Sequence, residues 1–208
     1  MRYIVVLLLI VLGPLPAFSQ LEKYLEKDPE PTVMNQWGAA FSVLEGGTGI
    51  GGFIETPLKN LIDVSPADFV HIGLTADIFF LRDSKEFQYS DGYNVYIFNR
   101  QNNVYMGDLL VTLRKRLFAR ELHDSFQPFV MFSAGAIYGI NFPEDKTRPV
   151  EQGVAPTVAG AFGVNAVVDK VYLFGIRLQY RYMTFQNRLG ETKDHSTLDL
   201  RLELGRRF

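Results

Sequence analysis

The chain has no cysteine. That absence excludes disulfides, cysteine-ligated zinc, iron–sulfur clusters, thiol catalysis and a lipidated N-terminal cysteine. Histidine is scarce too: His71, His123 and His195 are the three present, and with no HxH or HExxH spacing they make a poor metal centre. Neither sign of charge dominates. With 21 basic and 23 acidic residues the formal net charge is −2, which argues against a general nucleic-acid binder. No apolar run reaches 18 residues, so no membrane-crossing helix is encoded. What the 208 residues do hold is 47% hydrophobic side chains, 17 Phe, 10 Tyr and 18 Gly against a single Trp. Such content is too apolar for a disordered protein, suits β-structure better than helix, and fits one domain.

Residues 1–20 read MRYIVVLLLIVLGPLPAFSQ. Arg2 precedes the apolar run Ile4–Leu12, Gly13-Pro14 breaks it, and Ala17-Phe18-Ser19 offers small residues where a signal peptidase cuts. As a helix that run spans about 14 Å against a hydrocarbon core of about 30 Å, so residues 1–19 read as a cleaved signal peptide rather than an anchor. Losing Arg2 and no acid leaves 20 bases against 23 acids, a net −3. Residues 20–34, charged and proline-bearing, read as a flexible lead-in or one short helical turn, and 35–208 as the folded domain.

From there the chain alternates with period two, the signature of strands with one apolar face. Leu198, Leu200, Leu202 and Leu204 oppose Asp199, Arg201 and Glu203; Tyr172, Phe174, Ile176, Leu178, Tyr180 and Tyr182 oppose Gly175, Arg177, Gln179 and Arg181. Likewise Tyr105, Leu109, Val111, Leu113 and Leu117 oppose Asp108, Thr112, Arg114 and Arg116, and residues 69–81 set Val70, Ile72, Leu74, Ala76, Ile78 and Phe80 against His71, Thr75 and Asp77. Fainter strands cover 37–44 and 49–57, around a glycine turn at 45–48, and 126–140 and 157–168. The total is eight. Residues 58–66, 119–125 and 169–170 are short links. Polar loops are expected at 82–94, 142–155 and 187–195, with 99–103 a bulge or an extension of the fourth strand.

The apolar faces point either inward, as in a soluble barrel, or outward into lipid. The opposite faces carry Glu55, Asp77, Asp108, Asp199 and Glu203 against Arg114, Arg116, Arg177, Arg181 and Arg201, five acids and five bases. In a narrow barrel these can pair as a plug that fixes register, or line a thin water path. Eight strands leave a bore just wide enough for side chains to fill, which favours the plug. Tyrosines near strand ends suit an interfacial girdle. In hydrocarbon an open sheet would leave edge groups unsatisfied, so the strands must close.

With its leader, eight amphipathic strands, alternating short and long connections and last strand ending in Phe208, the chain resembles the small outer-membrane β-barrels of the OmpA/OmpX type. The stretch Gln127-Pro128-Phe129 through Ser133-Ala134-Gly135-Ala136 is similar to a strand common in such barrel domains. The resemblance implies an all-β, eight-stranded antiparallel up-and-down transmembrane barrel with both termini periplasmic. It implies Phe208 as the signal read by the barrel assembly machinery, and outer-membrane lipids and lipopolysaccharide as surroundings. Arg206 departs from the apolar residue usual there; Arg206 and Arg207 are expected to snorkel to headgroups.

Catalytic constellations are thin. Asp194-His195-Ser196 suggests a hydrolase, but neighbouring strand residues face opposite ways, and lipid A deacylases place His and Ser two apart. His71, Thr75 and Asp77 share a face, as members of a hydrogen-bonded lumen. Gly46–Gly52 lacks the lysine and helix of a phosphate loop. The expectation is a monomeric envelope or surface-interaction barrel with no catalysis, cofactor or nucleic acid. The alternatives are a barrel enzyme acting on lipid or lipopolysaccharide acyl chains, with His195 or His71 as base, and a soluble periplasmic lipid-binding barrel with faces reversed.

Overall fold

The computed structural model describes residues 33–61 and 69–208; the signal peptide and most of the lead-in expected from the sequence lie outside the described residues. The chain runs through β1 (Gln36–Leu44), β2 (Gly47–Pro57), a 3-10 turn (Leu58–Asn60), β3 (Val70–Ser90), β4 (Val95–Arg116), β5 (Phe126–Pro143), β6 (Glu151–Val168), β7 (Tyr172–Leu189), a three-residue β8 (Thr192–Asp194) and β9 (Thr197–Arg207). All pairings are antiparallel. Strand order β6-β5-β4-β3-β2-β1-β9-β7, with β6 paired to β7, closes an eight-stranded barrel on which β8 is an appendage of β7. Among the described residues no helix is long and apolar enough to cross a membrane.

The termini meet at one end, where the Phe208 N–H donates to the Asn35 carbonyl at 2.9 Å. This near end also carries the links around Leu58–Asn60, 117–125 and 169–171. At Asp169 and Lys170 both φ angles are positive (52° and 61°) and the Val171 N–H reaches the Val168 carbonyl at 3.1 Å, the geometry of a type I′ hairpin turn. The far end carries the two-residue Glu45-Gly46 turn and three longer excursions.

Those excursions differ from the loops expected. Most of 82–94 is strand: β3 and β4 stay paired from Val70↔Lys115 to Ser90↔Val95, while β2 leaves β3 at Leu81 and β5 leaves β4 at Asn102. A two-stranded ribbon therefore stands clear of the barrel; 99–103 is an extension of the fourth strand, with 99–101 in the ribbon and Asn102 and Asn103 still paired to β5. The 142–155 loop shrinks to residues 144–150, and 187–195 is largely the β7–β8 turn. Beyond the barrel wall no apolar face has to be kept in register, so period two fades from the sequence although pairing continues.

Inside and outside alternate along each wall strand. β1 and β9 are buried at every second residue, Gln36 to Leu44 and Thr197 to Glu203. The outward residues are large and apolar, with Phe162, Leu204 and Leu109 about 60% exposed. The inward ones include the largest fully buried side chains, Arg177, Arg181 and Arg201.

Candidate functional site

The bore is filled in layers. Nearest the termini, Asp124 accepts from Arg116 at 2.5 Å, from Arg207 at 2.9 Å and from Gln127 at 3.2 Å. Burial opposes the charge on Asp124, but Arg207 and Arg116 outweigh it and hold its carboxyl below the ordinary carboxylate range. A cavity of about 10 Å³, lined in part by Gln36, His71, Arg116 and Arg207, is about large enough for one water. Here His71 Nε2 lies 3.2 Å from the Met34 carbonyl oxygen.

The next layer centres on Glu203, which accepts from Arg114 at 3.0 Å, Arg177 at 3.1 Å and the Arg201 Nε at 3.4 Å. Arg114 also meets Glu55 at 3.0 Å, and Glu55 accepts from Gln36 at 2.5 Å. Above it Arg181 pairs with Asp77 at 3.1 Å, with Asp199 at 3.5 Å and with Asp108, while Arg201 pairs with Asp77 as well. Rings flank the guanidiniums: Arg114 lies 4.3 Å from the Phe129 centroid and Arg181 4.5 Å from that of Phe79.

Local sequence makes room for these long side chains. Arg177 and Arg181 are cross-strand partners of Gly163 and Ala159 on β6. Gly51 is paired with Asp77, and a Cβ there would collide with the Asp77 carboxylate.

All ten charged residues singled out in the sequence face the bore and are buried. Nine lie in the two linked layers; Arg116 stands apart with Asp124. Sequence reasoning missed Asp124, which sits in a near-end link, and misplaced Arg207. Arg207 does not reach for headgroups: it is 3% exposed and turned inward onto Asp124. Its parity with Arg201 and Glu203 along β9 already places it inside. Arg206, its neighbour, does face outward.

A second correction concerns the far third of the bore, which is not charged. Leu44, Phe79, Val104, Met106, Ile137, Ala155, Met183, Phe185 and Leu189 form one buried apolar cluster there. Its signal is a loss of alternation, as at Ile78-Phe79-Phe80, where both faces turn apolar. Over it lies a polar rim: Arg148 bridges Glu191 at 3.1 Å and Glu151 at 3.3 Å, and Glu151 also accepts from the Gly190 N–H at 2.6 Å and from Asn141 at 3.0 Å.

The histidines do not assemble a triad. His195 Nε2 lies 3.0 Å from the Leu189 carbonyl oxygen and its ring packs edge-on against Phe185. Ser196 instead accepts from the Met183 N–H at 3.2 Å and donates its own N–H to Asp194 at 2.9 Å. His123 Nδ1 lies 2.8 Å from the Ser125 hydroxyl. Among the described residues no three His, Cys, Asp or Glu side chains group as metal ligands.

Outside, the wall strands present a belt free of charge. Among the described residues, their outward faces carry charge at Lys115 and Arg206 near the termini and at Arg82 and Arg188 at the far end. Aromatic side chains mark both borders: Trp37, Phe126 and Tyr172 at the near end, Phe80, Tyr105, Tyr138, Phe142 and Tyr182 at the far end. On β7 the ten steps from Tyr172 to Tyr182 cover about 34 Å along the strand, or about 24 Å at a tilt of about 45°. That matches the apolar band of outer-membrane barrels, about 25 Å.

No family model and no curated protein sequence matches the chain. Solved structures do. The N-terminal β-barrel domain of OprF from Pseudomonas aeruginosa is 12% identical, covering 86% of this chain and 100% of that one, with a TM-score of 0.50. Neisserial surface protein A is 9% identical over 83% of this chain and 94% of its own, with a TM-score of 0.52. The outer membrane protein OprG from Pseudomonas aeruginosa is 13% identical over 86% and 97%, with a TM-score of 0.50. The fold is that of the eight-stranded outer-membrane barrels. It is all-β, antiparallel and closed, as the resemblance to the OmpA/OmpX type implies.

Proposed function

We propose that the chain is an integral outer-membrane barrel that is sealed, carries no catalytic centre and presents its far-end ribbons to other molecules at the cell surface. The observation that carries this reading is the inversion of polarity across the wall. Exposed Leu, Ile, Val and Phe form an uncharged belt about 24 Å tall, while the buried interior holds paired Arg, Asp and Glu. A soluble lipid-binding barrel needs the reverse, and a belt of this size in water is an aggregation hazard. In this reading residues 1–19 are the export signal, 20–34 a periplasmic lead-in, and 35–208 the barrel, with the near end periplasmic and the β3–β4 ribbon outside. Its tip exposes Tyr89, Tyr93, Val95 and Tyr96, side chains suited to contact with a partner.

The lumen network then serves stability and register, since each buried charge in it is engaged by an opposite one. Lipid and lipopolysaccharide are the surroundings of the belt, the assembly machinery reads the last strand and Phe208, and the barrel acts as a monomer. An acyl-modifying enzyme is disfavoured because His195 and Ser196 engage separate backbone groups.

Fractionation of cells expressing the full chain tests the assignment. The protein is expected in the outer-membrane fraction, resistant to carbonate and urea and released by detergent, and a chain lacking Phe208 is expected there in reduced amount. Release of the full chain without detergent overturns the reading.

A further inference from the structure

We infer that Arg206, set between Trp37 and Tyr172 on the outward wall, forms a binding site for the headgroup of an anionic phospholipid in the leaflet at the near end. The inference rests on the membrane assignment above and adds a ligand to it. β9 pairs with β1 on one side and β7 on the other, so Arg206 stands directly opposite both Trp37 and Tyr172. Side chains opposite one another on antiparallel strands have Cβ atoms about 5 Å apart and share a face. The result is a row of three: a guanidinium flanked by two amphipathic rings, with Trp37 53% and Tyr172 54% exposed.

Three further observations make the row a recognition site rather than a stray charge. Arg206 is the sole charged residue on the outward face of β9, where Leu198, Leu200, Leu202 and Leu204 precede it. Among the described residues no carboxylate on the neighbouring outward positions of β1 or β7 neutralises it, Ala39 and Phe174 being the next residues along. The row also sits where the belt ends, at the depth of phosphates. A guanidinium presents a planar fork to phosphate oxygens, while indole and phenol rings keep their polar edges in the same interfacial layer. The ligand is a lipid phosphodiester with a net negative headgroup. A zwitterionic lipid carries an ammonium that offsets the attraction.

Trp37 is the chain's one tryptophan, so its emission reports this site directly. The full-length barrel is refolded into phosphatidylcholine vesicles containing rising fractions of acyl-brominated phosphatidylglycerol or acyl-brominated phosphatidylcholine. Bromine quenches Trp37 only on contact. Half-maximal quenching is expected at about fivefold lower mole fraction for the glycerol lipid, the effect of one basic residue at a membrane surface. Arg206→Gln is expected to bring the ratio to about one, and Lys115→Gln, four strands away on β4, to leave it unchanged. In 1 M salt the wild-type preference is expected to shrink, which tests the site even if the variant does not insert. Equal quenching by the two lipids in the wild type, a preference surviving Arg206→Gln, or one indifferent to salt overturns the inference. Failure of the barrel to enter vesicles would instead count against the membrane assignment.

Discussion

Asp124 shows how a single carboxylate can clasp the near end of the barrel. It belongs to a link rather than a wall strand, yet it accepts from Arg116 on β4 and Arg207 on β9, so the end of the last strand is tied across the mouth. Its carboxyl is held below the ordinary range in the folded state. A depressed folded-state value contributes stability that is present above the unfolded value, near pH 4, and is lost as pH falls through the folded one. Asp124→Asn is expected to cost about 3 kcal/mol at neutral pH, because two buried guanidiniums lose their anion. Urea unfolding followed by Trp37 emission is expected to show that difference narrowing as pH falls from about 4 into the acid range. A difference that stays constant over the range would mean the cost comes from packing, not from charge. The clasp was half legible in the sequence. Parity along β9 places Arg207 inside, but nothing local to a link announces that Asp124 turns into the bore.

Among the wall strands the decisive feature is how like charges are zoned. Asp77 and Asp108 are direct cross-strand partners on β3 and β4, and Arg177 and Arg201 are direct partners on β7 and β9. Like charges opposite one another destabilise a strand pair. Each wall is therefore unfavourable alone and is satisfied across the lumen, where Asp77 meets Arg181 and Arg201. A one-residue slip of β9 would turn its charges into the belt and its leucines into the bore, so the network fixes register as well as closure. Asp77→Arg is expected to prevent stable folding, since it sets a third cation against two. Adding Arg201→Asp is expected to recover at least half of the folded yield, read as heat-modifiable migration on gels. No recovery would show that the pair acts through shape rather than charge. These strands were legible because belt and bore impose opposite polarity on alternate residues: Thr197–Glu203 and Ile176–Tyr182 obey it throughout. Where that demand ends, as in the free ribbon beyond Leu81 and Asn102, alternation stops informing and the pairing appears only in the fold.

At the scale of the molecule the bore is closed twice by different physics. Toward the termini the closure is electrostatic, with five carboxylates and four guanidiniums in the two linked layers, and six of each once Asp124, Arg116 and Arg207 are counted. Toward the far end it is apolar, the cluster around Phe79, Ile137 and Phe185, with the Arg148–Glu191–Glu151 rim above. In the proposed reading either closure alone blocks a water path, since an apolar plug offers no hydration to an ion and each charged side chain in the linked layers already meets an opposite charge. The two also respond differently to substitution. Removing Phe185 and Leu189 side chains is expected to cost about 3–5 kcal/mol for each in transfer and cavity terms, lowering the urea midpoint of the barrel, without opening a channel. In planar bilayers the wild type and the Phe185→Ala/Leu189→Ala variant are therefore both expected to show no unitary current steps. Steps in the double variant alone would mean that the charged layers line a path rather than fill it, and that the apolar cluster is the gate.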